Sequence, residues 1–236
     1  MVKVEMKSMT PGNRAILRRF NDHHMVDRFK ALPWKNIEQA LTGPVNAKTA
    51  IQFQKAVAMI ILMHAPMRLK NLCNLHLDQH LNWTAAPGKL LIVIPGDEVK
   101  NEEELSFELP PRAVTAIFTY NSTYRPLLFK GANDFLFPGQ NGRPKTLNNL
   151  SLQLAKFTFD GIGVRLTAHR FRHLMGKIFL DACPGQYEVV RRVLGHRSIE
   201  TTMSYYAGEE TRAAVHHFQD KVFEDLETTK TKGQRK

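Results

Sequence analysis

Tyr205 stands nine residues after His196 in the run Leu194-Gly195-His196-Arg197-Ser198-Ile199-Glu200-Thr201-Thr202-Met203-Ser204-Tyr205, and His169-Arg170-Phe171-Arg172-His173 lies upstream. Residues of these types can together carry out in-line transfer at a phosphodiester. A phenol attacks phosphorus once its proton is taken, and a covalent phosphotyrosine keeps the bond energy for rejoining. A guanidinium donates two parallel hydrogen bonds to a phosphate and stays charged at working pH, which suits the charge that develops in the transition state. His169 and Arg172 are three apart, so on a helix they share a face. Tyr206 directly follows Tyr205, but on a helix the next side chain turns about 100° away. Spacing from His196 therefore selects Tyr205.

His169 and His173 also have the spacing of two zinc ligands on a helix. No Glu follows His169, no third ligand stands nearby in sequence, and the adjacent arginines would repel a cation. The expectation is no metal and no cofactor. Cys73 and Cys183, the only cysteines, form no Cys-x-x-Cys pair and read as buried thiols of a reducing compartment.

The 236 residues include 33 Lys and Arg against 22 Asp and Glu, a net charge of +11 that favours a polyanionic partner. With 43% hydrophobic residues the chain can bury a core, which excludes disorder throughout. Its first twenty residues mix charged with apolar positions and hold no secretory signal. The strongly apolar stretch 56–62 is far shorter than the roughly 20 residues of a membrane span. A cytoplasmic, nucleoid-associated protein is expected, with no membrane partner.

Several elements must position these residues. Thr10-Pro11 opens a short helix expected to stop near Pro33, and Asn46 caps a core helix that Ala65-Pro66 ends at His64. Leu69, Leu72 and Leu75 then mark a short helix that presents Arg68 at its start. Residues 90–94 and 105–109 read as strands between Pro-Gly turns, in a small antiparallel sheet of two or three strands. Helices follow from Pro111 to about Tyr124, from Leu147 to Phe159, from Ala168 to Leu180, and up to Gly195 as C-cap, and Ser198 caps the one carrying Tyr205. Thr211–Leu226 is amphipathic, with Val215, Phe218, Val222 and Phe223 roughly on one face, and a basic tail follows. The fold class expected is α+β: mostly α-helical, with a small antiparallel β-sheet.

Arg68 within Ala65-Pro66-Met67-Arg68-Leu69, His169-x-x-Arg172-His173, and Leu194-Gly195-His196 with Thr201-Thr202-x-x-Tyr205 together resemble the catalytic signature of the tyrosine recombinases, the phage-integrase superfamily. The likeness spans about residues 46–208. It implies a DNA breaking-and-rejoining domain in which Arg68 and Arg172 clamp the scissile phosphate of double-stranded DNA. His169 would hold a phosphate oxygen and act in proton transfer, His196 would donate to the same phosphate, and Tyr205 would attack to leave a 3′-phosphotyrosine. The lysine that protonates the leaving oxygen in such enzymes corresponds to Lys100, between the two strands. The chain departs from the family pattern at Asn71, where an acidic residue is usual, at Pro66-Met67, where a glycine is common, and in the acidic turn around Lys100.

The resemblance also implies an organisation. Residues 1–45 would be a helical extension or the remnant of a truncated N-terminal DNA-binding domain, 46–208 the catalytic domain, and 209–236 a C-terminal helix and basic tail. In such proteins that helix packs into a neighbouring protomer, giving a homo-oligomer, a tetramer on DNA; its apolar stripe fits equally well a helix packed on its own domain. Two other functions share most of these residues: a type IB topoisomerase that reseals the same strand, and a catalytically impaired DNA-binding relative.

Overall fold

The computed structural model describes residues 9–84, 88–206, 215 and 218–223. It is mostly helical, with one small antiparallel sheet. Thr10 caps α1 (Pro11–Arg18) by accepting from the Asn13 amide, and Asp22 caps α2 (His23–Thr42) by accepting from the His24 amide. The helix opened by Thr10-Pro11 ends at Arg18 and a second one, α2, runs through Pro33, which corrects the expected single helix stopping near Pro33. Proline removes one helical hydrogen bond and normally kinks or breaks a helix; here buried Phe29, Leu32, Ile37 and Ala40 hold both sides of it against the core.

Asn46 accepts from Lys48 and Thr49 at the start of α3 (Ala47–His64), and Thr49 Oγ1 accepts from the Asn46 amide in return, a closed capping box. Every residue from Ala56 to Leu62 is buried, so α3 is the axis of the core. Its one buried amide, Gln54, donates to the Tyr120 hydroxyl at 2.8 Å and accepts from Lys145 Nζ. Ala65 and Pro66 end α3, and Arg68 is the first residue outside α4 (Leu69–Cys73).

The sheet has the order β1 (Leu81–Trp83), β2 (Leu90–Ile94), β3 (Leu105–Leu109), all antiparallel. Leu90 pairs with Leu109 and Ile94 with Leu105, and the alternate residues Leu90, Ile92 and Ile94 are buried. The β2–β3 connection thus leaves the sheet at the end nearest α8, carrying Lys100. After the sheet come α5 (Pro111–Thr119), a wider helical turn at Tyr120–Tyr124, α6 (Leu147–Ile162), α7 (Ala168–Ala182), α8 (Tyr187–Leu194) and α9 (Ile199–Tyr206).

Helix α2 packs on α3 and α6, and α1 on α7. Phe29 of α2 meets Phe171 of α7 with ring centroids 5.5 Å apart. Cys73 is buried and Cys183 is half-buried, so only the first fits the expectation of a buried thiol. The segment Thr211–Leu226 lies mostly outside the described residues; within it, 218–223 are helical and Val215, Phe218, Val222 and Phe223 are exposed. No described helix is long and apolar enough to cross a membrane.

Candidate active site

A cavity of about 590 Å³ is lined by Arg68, Lys100, His169, Arg172, His196 and Tyr205. The structure therefore brings all six sequence-selected residues to one place, from the starts of α4 and α7, the β2–β3 connection, the turn after α8, and α9. The wall also includes Thr167, Ser151 and His173.

The C-terminus of α8 organises the two arginines. The last carbonyls of a helix lack intrahelical partners and carry partial negative charge. Leu194 O accepts from Arg172 Nη2 at 2.5 Å, and Gly195 O accepts from Arg68 Nη2 at 3.4 Å. Gly195 adopts φ +57, and its amide donates to Arg192 O while that of His196 donates to Arg191 O, which closes the helix. A left-handed turn at this position costs an ordinary residue about 1–2 kcal/mol, so glycine suits it. The chain then leaves α8 with His196 directed at the arginines.

Arg172 is 7% exposed and also donates to Pro66 O at 2.5 Å, joining α7 to the segment before Arg68. Arg68 Nη1 is buried with no hydrogen-bond partner among the described residues. A buried guanidinium donor left open is costly, and an anionic oxygen in the cavity would satisfy it. Burial and the neighbouring Arg68 cation push the Arg172 guanidinium down to about 10, still cationic at neutral pH.

The same environment keeps the histidines neutral. Burial first, then the cations of Arg172 and Arg68, push His196 down to about 4. Burial, His169, Arg172 and His196 push His173 down to about 3, and burial with Arg172 and Arg170 lowers His169. His196 Nδ1 lies 2.9 Å from Thr202 Oγ1, which fixes the ring.

Two tyrosines end α9, in different surroundings. Tyr205 lines the cavity, its ring centroid 4.8 Å from that of His173 and 6.3 Å from that of His196. Tyr206 is 1% exposed, with its hydroxyl 3.5 Å from His173 Nδ1. Burial raises its hydroxyl well above the usual phenol range.

Lys100 is held by its backbone. Arg197 Nη2 donates to Lys100 O at 3.3 Å, and Asn71 Nδ2 donates to Glu98 O at 3.1 Å. Asn71 therefore ties α4 to the turn before Lys100, a task for which an amide donor is fitted and a carboxylate is not. The acidic neighbours face elsewhere: Glu98 meets His80 at 3.1 Å and Glu103 accepts from Asn101. Among the described residues no carboxylate pairs with Lys100, and none holds a cluster of three His, Cys, Asp or Glu placed for a metal.

Sequence reasoning missed the parts played by Thr202, Asn71, Arg197 and the carbonyls of Pro66, Leu194 and Gly195. Thr202 stands in the Thr201-Thr202 pair before Tyr205, which was the available signal; the carbonyls carry none.

Comparison with known proteins decides the family, because the pattern of the phage integrase family matches residues 31–212. The chain belongs to the phage integrase family. A relative from Pseudomonas aeruginosa, described as tyrosine recombinase XerC, is 33% identical over 78 residues, which is 31% of this chain and 18% of that one. Among solved structures, the XerH site-specific recombinase bound to palindromic difH substrate, a post-cleavage complex, superimposes with a TM-score of 0.59 at 19% identity, covering 80% of this chain and 51% of that one. The XerA recombinase gives 0.55 at 20% identity over 76% of this chain and 56% of its own. The Tn1549 transposon integrase in complex with circular intermediate DNA gives 0.50 at 20%, covering 78% and 63%. At these identities the likeness is one of fold, and the chain spans roughly half to two thirds of the solved relatives.

Proposed function

We propose that this chain is the catalytic part of a site-specific DNA recombinase or integrase that cleaves and rejoins double-stranded DNA through a 3′-phosphotyrosine. The observation that carries this reading is the single cavity lined by Arg68, Lys100, His169, Arg172, His196 and Tyr205. Arg68 and Arg172 clamp the scissile phosphate, supplying the positive charge that metal ions supply in other phosphoryl-transfer sites. The open Arg68 Nη1 supports this role. His196 and His169 donate to phosphate oxygens, and His169 serves proton transfer there.

Tyr205 Oη attacks phosphorus. The P–O5′ bond breaks as the P–Oη bond forms, the phenol proton goes to the non-bridging oxygen served by His169, and Lys100 protonates the leaving 5′ oxygen. The products are a 3′-phosphotyrosyl strand and a free 5′-hydroxyl. Exposure of Tyr205 to the cavity and burial of Tyr206 support this choice of nucleophile.

Residues 46–208 would act as the catalytic unit, with 1–45 as an extension whose described helices, α1 and α2, pack on it. The exposed apolar residues Val215, Phe218, Val222 and Phe223 support a C-terminal helix that joins protomers in a tetramer on DNA. A protein of this kind works at the nucleoid in the cytoplasm.

The test is covalent trapping on a nicked duplex library with randomised sequence around the nick, in the presence of EDTA, scored as protein–DNA adduct on a denaturing gel. Wild type and Tyr206→Phe are expected to form the adduct and Tyr205→Phe none. Adduct from Tyr205→Phe would remove that residue as nucleophile, and loss of wild-type adduct on adding EDTA would overturn the metal-free step. Relaxation of supercoiled plasmid without products of altered connectivity would mark a topoisomerase instead.

A further inference from the structure

Gly176 of α7 faces α9, and a Cβ there would collide with the Tyr206 hydroxyl and lie 2.6 Å from its Cζ. The missing side chain is the slot that admits the Tyr206 ring. Seated in it, Tyr206 Oη lies 3.5 Å from His173 Nδ1. The far nitrogen of His173, Nε2, lies 3.0 Å from His169 Nε2, with the two rings nearly perpendicular at 87°. A file of three groups thus runs from a buried phenol to the cavity wall, where His169 and His173 stand beside Arg172 and Tyr205.

We infer that Tyr206 is a positioning residue: through His173 it fixes which ring nitrogen of His169 carries hydrogen. This rests on the proposed role of His169 at a phosphate.

A neutral imidazole holds one hydrogen, so the two facing Nε2 atoms share one between them. Only two arrangements satisfy that contact. In the first, Tyr206 donates to His173 Nδ1, His173 donates from Nε2 to His169 Nε2, and the hydrogen of His169 resides on Nδ1. In the second the direction is reversed: His169 donates to His173, His173 donates from Nδ1 to the Tyr206 oxygen, and His169 Nδ1 is bare. The second strands the Tyr206 hydrogen, because Tyr206 Oη has no acceptor other than His173 among the described residues. A buried O–H without an acceptor is costly, whereas a phenol oxygen that accepts nothing costs less. Burial also keeps the phenol protonated and therefore able to donate. The first arrangement follows, and His169 meets an incoming phosphate as a donor from Nδ1, the nitrogen that His173 does not use.

Such a device has a place only where the histidines are neutral, since a doubly protonated ring has no tautomer to choose. Burial first, and then the neighbouring cations, supply that condition for His173 and His169. Tyr205, though next in sequence, takes no part in the file; its ring lines the cavity, tilted 35° to that of His173 with centroids 4.8 Å apart.

The test is ring-nitrogen NMR of the full chain labelled with ¹⁵N-histidine, without DNA, with the two signals assigned from His169→Asn and His173→Asn variants. Wild type is expected to show His173 with hydrogen on Nε2 and His169 with hydrogen on Nδ1. His173 with hydrogen on Nδ1 would overturn the inference, and this measurement does not depend on any Tyr206 variant folding. Tyr206→Phe is then expected to redistribute both tautomers and to slow adduct formation roughly tenfold with duplex binding unchanged, a rate-against-affinity split. That size corresponds to one weakened transition-state contact. Unchanged ring-nitrogen signals in folded Tyr206→Phe would also overturn it. If the wild-type tautomers are as expected but no adduct forms with any duplex, the proposed reaction fails while the positioning stands.

Discussion

Helices α3 and α7 are both largely buried, and they come to be so by opposite chemistry. Helix α3 turns hydrocarbon inward on every side from Ala56 to Leu62. Helix α7 buries Arg172, His173 and Lys177 alongside Phe171 and Leu174. The cost of desolvating Arg172 and His173 is offset by partners from elsewhere, the carbonyls of Pro66 and Leu194 for Arg172 and Tyr206 for His173, while Lys177 pairs with Asp181 one turn on in α7 itself. Burial in α3 is a property of its own sequence, while burial in α7 is a property of what surrounds it. A charged helix can be held inside only if several remote segments agree, and that agreement is also what aims its side chains at one cavity.

If this contrast is right, the two helices should fail differently. The largest effect is expected from Phe53→Ala in α3, whose ring stacks on Tyr124 with centroids 4.4 Å apart. Chemical denaturation should show a loss of about 3–5 kcal/mol, with adduct formation per folded molecule close to wild type. A small stability loss would mean that the core can collapse around the gap.

Next in size is Arg172→Ala. It should slow adduct formation by about 10²–10³-fold, the scale of losing one donor to a developing oxyanion, while non-specific duplex binding falls little, since one phosphate contact among many is lost. Its stability loss should be smaller, about 1–3 kcal/mol for carbonyls left unpaired. Equal loss of binding and rate would place Arg172 in general DNA affinity instead.

The smallest difference concerns pH. The folded state holds His196 down to about 4 and His173 to about 3, against 6.5 for a free histidine. Below pH 6.5 the unfolded chain therefore binds more protons than the folded one, and stability drops as pH falls from about 6.5 toward 4. Thermal unfolding of wild type and His196→Gln across that window should show a shallower decline in the variant. Parallel curves would mean that His196 is not held neutral by the site.

The legibility of the sequence follows the same division. Helix α3, with Asn46 and Thr49 at one end and Ala65-Pro66 at the other, is written locally, as are strand 90–94 between its Pro-Gly pairs and strand 105–109 before Pro110-Pro111. Helix α2 misled because Pro33 is a local stop signal overruled by packing on both of its sides. The cavity residues were found from type and spacing together with a family resemblance. Their support was hidden because it is made of backbone carbonyls, which every residue has, and of pairs such as Gly176 with Tyr206 that meet only after folding. Asn71 read as a departure from a pattern; its amide is a donor to Glu98 O that a carboxylate could not be.

The turn that ends α8 has one more consequence, for how such a chain can change length. Its carbonyls at 194 and 195 receive the two arginines, its next residue is His196, and α9 begins at Ile199 and brings Tyr205 to the same cavity. The arginine anchor and the proposed nucleophile are thus measured from one origin, with no slack between them. An inserted or deleted residue between 195 and 205 would rotate Tyr205 about 100° around its helix, away from phosphorus, while leaving the arginines in place. Exposed turns outside this ruler, such as residues 140–142 before α6, can lengthen without moving it. Insertions that preserve activity should accumulate there, and the nine-residue step from His196 to Tyr205 should behave as a fixed gauge.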